Sequence, residues 1–442
     1  MASGMGGLPN DTRFLHVGPH KTGTTAIQGA LHTARARLRE HGLAYIGKNR
    51  QPAGAAQQAV GVPPIFGSTH LHDSYWQRLL GEVEAESELR PIVSSEFFCE
   101  ADDEAARRIV EDLGGSRVHV IVTLRPLSKI LAAQWQQFVQ AGVLHSYEEW
   151  LDVTFNRPPS ENPVPTFWRR HDHGDLVSRW SGIVGSENLT VIVADDSEPG
   201  MLLSSFEEIL DLPDGFLIPD ESQTNRSLSY GEAELFRHFN REFLGSDLDE
   251  SMYGRYVRGG LAPHLKLRFR PSREDGVIST PSWAMERAAK RGAESAATIE
   301  GLDLRVMGDL AKLAEVPENR VGAPSGGVSV PVEAAAHAVL GVLVAVDDRE
   351  RRNEKAATKA AEKAAEAAAR QAAESARNKA ARAAEKARLR DSDRLPNVPA
   401  RRLVQELAKR GSRKIVRAPT RMARVLRNRR AADRRSGGSN PL

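Results

Sequence analysis

The sequence predicts an α/β fold, a parallel sheet flanked by helices. Three observations carry that prediction: short runs that are apolar throughout, amphipathic helical patterns between them, and a glycine-containing loop joining the first run to the first helix. The runs at 14–17, 91–95, 118–124 and 189–194 lack the alternation of a half-exposed strand, so each fits a strand buried on both faces. Helical patterns cover 24–40, 101–113, 127–141, 147–153, 201–210 and 230–243. The segment 156–165 is rich in Pro and Asn, and 214–227 is a second irregular link. Trp135, Trp150, Trp168 and Trp180 are expected to pack in the core or in grooves, and Ser229 to cap the helix that starts near Tyr230.

Charge divides the 442 residues sharply. Residues 349–442 hold 28 Lys and Arg against 10 Asp and Glu, a net +18, whereas 1–348 hold 33 against 48, a net −15. The expected organisation is a flexible N-terminus (1–12), an α/β domain (13–348), a solvated Ala/Lys/Glu/Arg-rich helix (349–395), and a basic, partly disordered tail (396–442). Between 349 and 388 there is no Leu, Ile, Val or Phe, so no heptad seam drives a coiled coil. The longest apolar run, 334–346, is too short to span a bilayer and is expected as a buried helix. The lone Cys99 excludes a disulfide framework or a cysteine-based zinc site. With no signal-peptide pattern at the start, the expected location is cytoplasmic. Arginine clusters with intermittent Leu, Val and Met in 401–435 predict peripheral attachment to an anionic membrane surface. No nucleic-acid fold or stacking platform is present in the pattern, so no specific nucleic-acid partner is expected.

The loop after the first strand reads Gly18-Pro19-His20-Lys21-Thr22-Gly23-Thr24-Thr25. A Walker A loop has the frame G-x-x-x-x-G-K-[ST], in which backbone amides wrap phosphates. Gly18, Gly23 and Thr25 keep the frame, but Thr24 fills the lysine position and the lysine stands inside the loop as Lys21. The pattern predicts an anion cradle at a helix N-terminus, suited to something other than ATP. A tight turn that binds nothing is the alternative. A second segment, 118–129, ends a buried strand with Arg125 at the carboxyl edge, where α/β sheets bind ligands. An arginine there can grip a phosphate through two parallel hydrogen bonds.

Together these two segments resemble the sulfotransferase family that uses 3′-phosphoadenosine 5′-phosphosulfate (PAPS), in particular an actinobacterial-type branch. In that family a K-[ST]-G-T-T loop contacts the 5′-phosphosulfate, here Lys21-Thr22-Gly23-Thr24-Thr25, and a strand-ending arginine contacts the 3′-phosphate, here Arg125. Trp180 ahead of 189–193 and the runs 225–229 and 306–310 add weaker likeness, so the resemblance spans most of 13–345 and none of the tail. It implies a P-loop NTPase-like sulfotransferase fold, PAPS as cosubstrate, and an acceptor offering a hydroxyl or amine. Gly18, His20, Lys21, Thr22, Gly23, Thr24, Thr25, Arg125 and Ser128 would then surround the nucleotide. Lys21 would meet the bridging oxygen as the leaving phosphate gains charge. A metal is not required, because a sulfuryl group carries less charge than a phosphoryl group. Two positions depart from the family. Ala133 stands eight residues after Arg125 where a serine is expected, with Ser128 as the substitute donor. Ala26 stands where eukaryotic cytosolic members place a tryptophan that stacks on adenine. The run 256–260 is a candidate late phosphate-contacting loop.

Glu96 closes the run 91–95, which places its carboxylate at the same sheet edge and makes it a candidate general base. A helix-capping carboxylate or an arginine's partner is the bland reading of the same residue. His70, His72 and His20 compete for the role, although His70 and His72 read more simply as surface-loop histidines. Two other functions stay open: a P-loop kinase or nucleotide-binding protein, and a noncatalytic scaffold presenting the long helix and a membrane-attaching tail.

Overall fold

The computed structural model describes residues 8–61, 74–220, 226–272, 278–317 and 330–392, with six further positions between 401 and 408. The chain divides into two compact units, Met1–Arg351 and Arg352–Leu442. In the first unit six strands form one sheet: β1 (Arg13–Val17), β2 (Leu43–Tyr45), β3 (Arg90–Ser94), β4 (Val118–Leu124), β5 (Leu189–Val193) and β6 (Arg305–Met307), in the order β2-β3-β1-β4-β5-β6. Every neighbouring pair is parallel. Helices connect and cover them: α1 (Thr24–Thr33), α2 (Arg35–Glu40), α3 (Ala53–Val60), α4 (Tyr75–Ala85), α5 (Asp103–Leu113), α6 (Leu127–Gln140), α7 (Tyr147–Asn156), α8 (Phe167–His171), α9 (His173–Val184), α10 (Met201–Leu210), α11 (Tyr230–Leu244), α12 (Glu250–Met252), α13 (Ala262–Arg268), α14 (Ser282–Glu300) and α15 (Val332–Ser392). The protein is thus α/β, with a parallel sheet flanked by helices and the glycine loop following central strand β1.

Strand side chains alternate between two cores, as the two-residue period requires. Leu15, Val17, Val120 and Val122 join Trp76, Ile109 and Trp180 on one face. Phe14, Ile92, Ile121 and Ile192 join Ile27, Leu31 and Phe206 on the other. Burial on both faces is why these strands carry no polar alternation. A third cluster contains no strand residue: Trp135, Phe138, Tyr147, Trp150 and Phe167 pack with Phe236 and Leu265. Ser229 caps α11, accepting from the Glu232 N–H while the Glu232 carboxylate accepts from the Ser229 N–H.

Several expectations need correction. The pattern at 24–40 is two helices, broken at Ala34. Strands β2 and β6, three residues each, are too short to leave a pattern. The run 256–260 is no loop; it lies in a π-helical stretch, Tyr253–Leu261. The run 334–346 is helical but only one face is buried. Ala334 and Ala338 pack inward, whereas Val339, Leu340, Leu343 and Val344 are 46–62 % exposed. The reason is a close helix crossing made by small residues. A Cβ on Gly341 would stand 2.8 Å from the Leu261 Cα, and one on Gly260 would stand 2.5 Å from the Ala345 Cβ.

In the second unit, the described residues of α15 from 352 to 390 are all exposed. The expected membrane-attaching segment 401–435 lies almost entirely outside the described residues, as do His70 and His72. Among the described residues no helix is long and apolar enough to cross a membrane.

Four buried histidines stay neutral inside the first unit. Burial lowers His16 to about 3 and His119 and His173 to about 4, and it holds His171 well below its ordinary value. Between those values and 6.5 the unfolded chain binds protons that the folded chain refuses. The histidines' contribution to stability should therefore be level above pH 6.5 and fall as pH drops below it, by up to about 1.4 kcal/mol per pH unit for each histidine. Carboxylates titrate mostly below pH 5, so the window from 6.5 to 5 isolates the histidines. Thermal melting across that window should show a midpoint lowered by several degrees; an unchanged midpoint would refute the assignment.

Candidate active site

The loop between β1 and α1 is shaped by three backbone demands. Gly18 has no room for a side chain: a Cβ would stand 2.6 Å from Thr123 Oγ1 and 2.8 Å from both His16 Nε2 and Thr24 Oγ1. Gly23 precedes α1 with φ +98°, and a Cβ there would also meet Leu202 Cδ2 at 2.3 Å. Between them Lys21 takes φ +72°, a left-handed conformation uncommon outside glycine and one that clusters at functional sites.

A buried polar chain fixes this loop. The Thr22 hydroxyl donates to the Pro19 carbonyl (2.8 Å) and lies 2.9 Å from the Thr123 hydroxyl. His16 Nε2 lies 3.2 Å from Thr123 Oγ1, and His16 Nδ1 2.8 Å from Ser94 Oγ. With the Thr22 proton spent on Pro19, Thr123 must donate to Thr22. His16 Nε2–H then donates to Thr123, and Nδ1 accepts from Ser94. This order requires a neutral imidazole, in agreement with the low pKa of His16.

The chain continues to Glu96. Gln28 Nε2 donates to Ser94 Oγ (3.4 Å) and to Glu96 Oε2 (3.2 Å), and Gln51 Nε2 donates to Glu96 Oε1 (3.1 Å). Asp102, not Glu96, caps α5. Among the described residues no arginine pairs with Glu96. The carboxylate faces a cleft of 280 Å³ lined by His20, Lys21, Gly23, Thr24, Thr25, Glu96, Gln137, Gln140 and Lys266. Desolvation of the Lys21 ammonium lowers its pKa, and the charge of Glu96 acts in the opposite direction. His20 Nδ1 lies 3.4 Å from Gln137 Nε2, and its Nε2 stands 3.7 Å from the carboxylate of Glu100, which pairs with Arg170 (3.0 Å). Burial raises the Glu100 pKa, but His20 and Arg170 outweigh it and keep the carboxyl below its ordinary value.

Of the residues expected from sequence, His20, Lys21, Gly23, Thr24, Thr25 and Glu96 therefore share one cleft; Gly18 and Thr22 lie buried beneath it. Arg125 stands beside it, its guanidinium reaching the Lys21 carbonyl (3.5 Å) and pairing with Asp196 (2.7 Å). Ser128 is not brought to the cleft. It is buried, and its hydroxyl donates to the Glu315 carbonyl, so the substitute donor expected for Ala133 is already engaged. Among the described residues no group of three or more His, Cys, Asp or Glu is placed to hold a metal ion.

Lys266 is the residue that sequence reasoning missed. Burial, then the charges of Lys21 and Arg226, lowers its pKa to about 8. Arg226 holds it in place: the guanidinium pairs with Glu232 and donates to the carbonyls of Leu265, Lys266 and Phe269 at the end of α13. The only trace in the sequence was Arg226 in the run 225–229, which gave no hint of what it clamps.

No protein-family model matches the chain, and no curated protein does. Among solved structures, a crystal structure of a sulfotransferase from Alicyclobacillus acidocaldarius matches 55% of this chain and 99% of its own length, with 16% identity and a TM-score of 0.35.

The spacing around Gly18 can be tested directly. Gly18→Ala should cost about 1–3 kcal/mol by overpacking and lower the melting midpoint. Gly81→Ala, where a Cβ meets nothing within 4 Å, is the control and should leave the midpoint unchanged or higher. Equal midpoints for the two variants would remove the case for a space-limited loop.

Proposed function

We propose that this protein transfers a sulfuryl group from PAPS to a hydroxyl or amine of a carbohydrate, lipid or small-molecule acceptor. The observation that carries the reading is the single cleft in which Lys21, held left-handed inside a phosphate-type loop, faces Glu96 and a second lysine. The loop amides, Thr24 and Thr25 would receive the 5′-phosphosulfate. Glu96, fixed by two glutamines, would take the acceptor's proton as its oxygen bonds to sulfur. As the bond from sulfur to the bridging oxygen breaks, Lys21 would offset the charge gathering on the departing phosphate. Lys266, which lines the same cleft, would share that task. The chemistry needs no metal, since two ammonium groups supply the positive charge. Arg125 fits the 3′-phosphate if that phosphate displaces Asp196. Ser128, whose hydroxyl is held by the Glu315 carbonyl, would take no part at the adenosine end.

Lys21→Ala should abolish transfer while leaving part of the nucleotide affinity, and Glu96→Gln should lower turnover by roughly 10²–10⁴-fold. Thermal stabilisation assigns the ligand: PAPS and 3′,5′-ADP should raise the melting midpoint and Mg-ATP should not. Stabilisation by Mg-ATP alone would make the protein a kinase or ATP binder, and stabilisation by none of the three would favour the scaffold.

Lys266 gives the site a pH signature. Its charge is lost as pH rises past about 8, so the Kd for 3′,5′-ADP should climb above that pH. A bound anion raises the lysine's pKa, so the climb should approach tenfold per pH unit. Calorimetric titration of Lys266→Met should give a weaker Kd without that inflection. A flat profile in the wild type would exclude Lys266 from the anion site.

A further inference from the structure

A second cleft, 510 Å³ in volume, lies between α7, α8 and α14. That is the size range of small-molecule sites, about 300–1,000 Å³. Its walls combine Phe155, Pro159 and Trp168 with Arg287, Lys290 and Arg291. Such a density of cations runs against the net −15 of residues 1–348.

The cations are differently committed. Arg157 is tied to Asp152 (3.2 Å), and Arg287 gives one N–H to the Phe155 carbonyl (3.0 Å). Arg291 stacks over Trp168, 5.1 Å from the ring centroid, and its nearest carboxylates, Asp172 and Glu294, stand 3.8 and 3.7 Å away. Those separations exceed hydrogen-bond length, so the guanidinium fork keeps its donors available. Lys290 has no hydrogen-bond or ion-pair partner among the described residues.

We propose that this cleft binds an acidic sugar unit: a ring bearing hydroxyls and one carboxylate or sulfate. Arg291 and Lys290 would take the anion, the first through two parallel hydrogen bonds and the second as a point charge. Asp172 and Glu294 would accept from ring hydroxyls, and Phe155 would meet the apolar face of the ring. A flat aromatic acid or nucleobase fits less well. It offers no hydroxyls to the two carboxylates, and Arg291 already covers the Trp168 face on which it would stack. The inference does not depend on the reaction assigned to the first cleft.

The test is calorimetric titration of the full chain with lactose carrying a single 6-sulfate, and with lactose itself. The sulfated sugar should bind and lactose should bind at least tenfold more weakly. Lys290→Ala and Arg291→Ala should each raise the Kd roughly tenfold, the effect of losing one charge-assisted hydrogen bond. Lys21→Ala should leave this Kd unchanged. No binding by the wild type, equal binding of lactose, or binding that survives Lys290→Ala/Arg291→Ala would overturn the proposal, the last pointing to the basic tail. Loss of binding in Lys21→Ala would also overturn it by placing the sugar in the first cleft.

Discussion

His16 sits at the centre of the sheet and joins three strands to the loop through hydrogen bonds rather than through packing. Its neutral ring accepts a hydrogen bond from Ser94 on β3 and donates one to Thr123 on β4, which in turn donates to Thr22. A buried chain of this kind has one consistent order of donors, because each hydroxyl has a single proton to give. Burial is what keeps the imidazole neutral, so the same core that stabilises the sheet also sets the direction of the chain. At its far end, through Gln28, stands the carboxylate of Glu96. Loop and carboxylate are therefore positioned by one network, although 74 residues of sequence lie between Lys21 and Glu96.

How much of this was legible depended on how each feature is encoded. Strands such as 118–124 are visible because burial on both faces demands an unbroken apolar run, and the observed β4 has those same bounds. Strands β2 and β6 are three residues long and owe their existence to a neighbouring edge rather than to their own pattern. Helix 334–346 misled because its composition is apolar all round, whereas its burial is set by the small residues Ala334, Ala338 and Gly341 at a tight crossing. Apolar content reports how much surface could be buried, not which face finds a partner.

The cleft shows the same division. Lys21 and the glycines around it are contiguous, and the spacing of Gly18 and Gly23 betrays the loop directly. Lys266, Gln137 and Gln28 reach the site from separate helices, and no local pattern marks a residue whose meaning comes from what the fold brings opposite it. Arg226 illustrates the point. In the sequence it is an unremarkable basic residue in a linking segment, and in the fold it closes the end of α13 beneath Lys266.

The pairing of Arg125 with Asp196 has a consequence for the lifetime of any complex formed there. A guanidinium that already holds a carboxylate gains from an arriving anion only the difference between two partners, not the full strength of a new contact. Departure is assisted as much as arrival, since Asp196 stands ready to reclaim the arginine. Such an arrangement would trade tight retention of an anion for short residence.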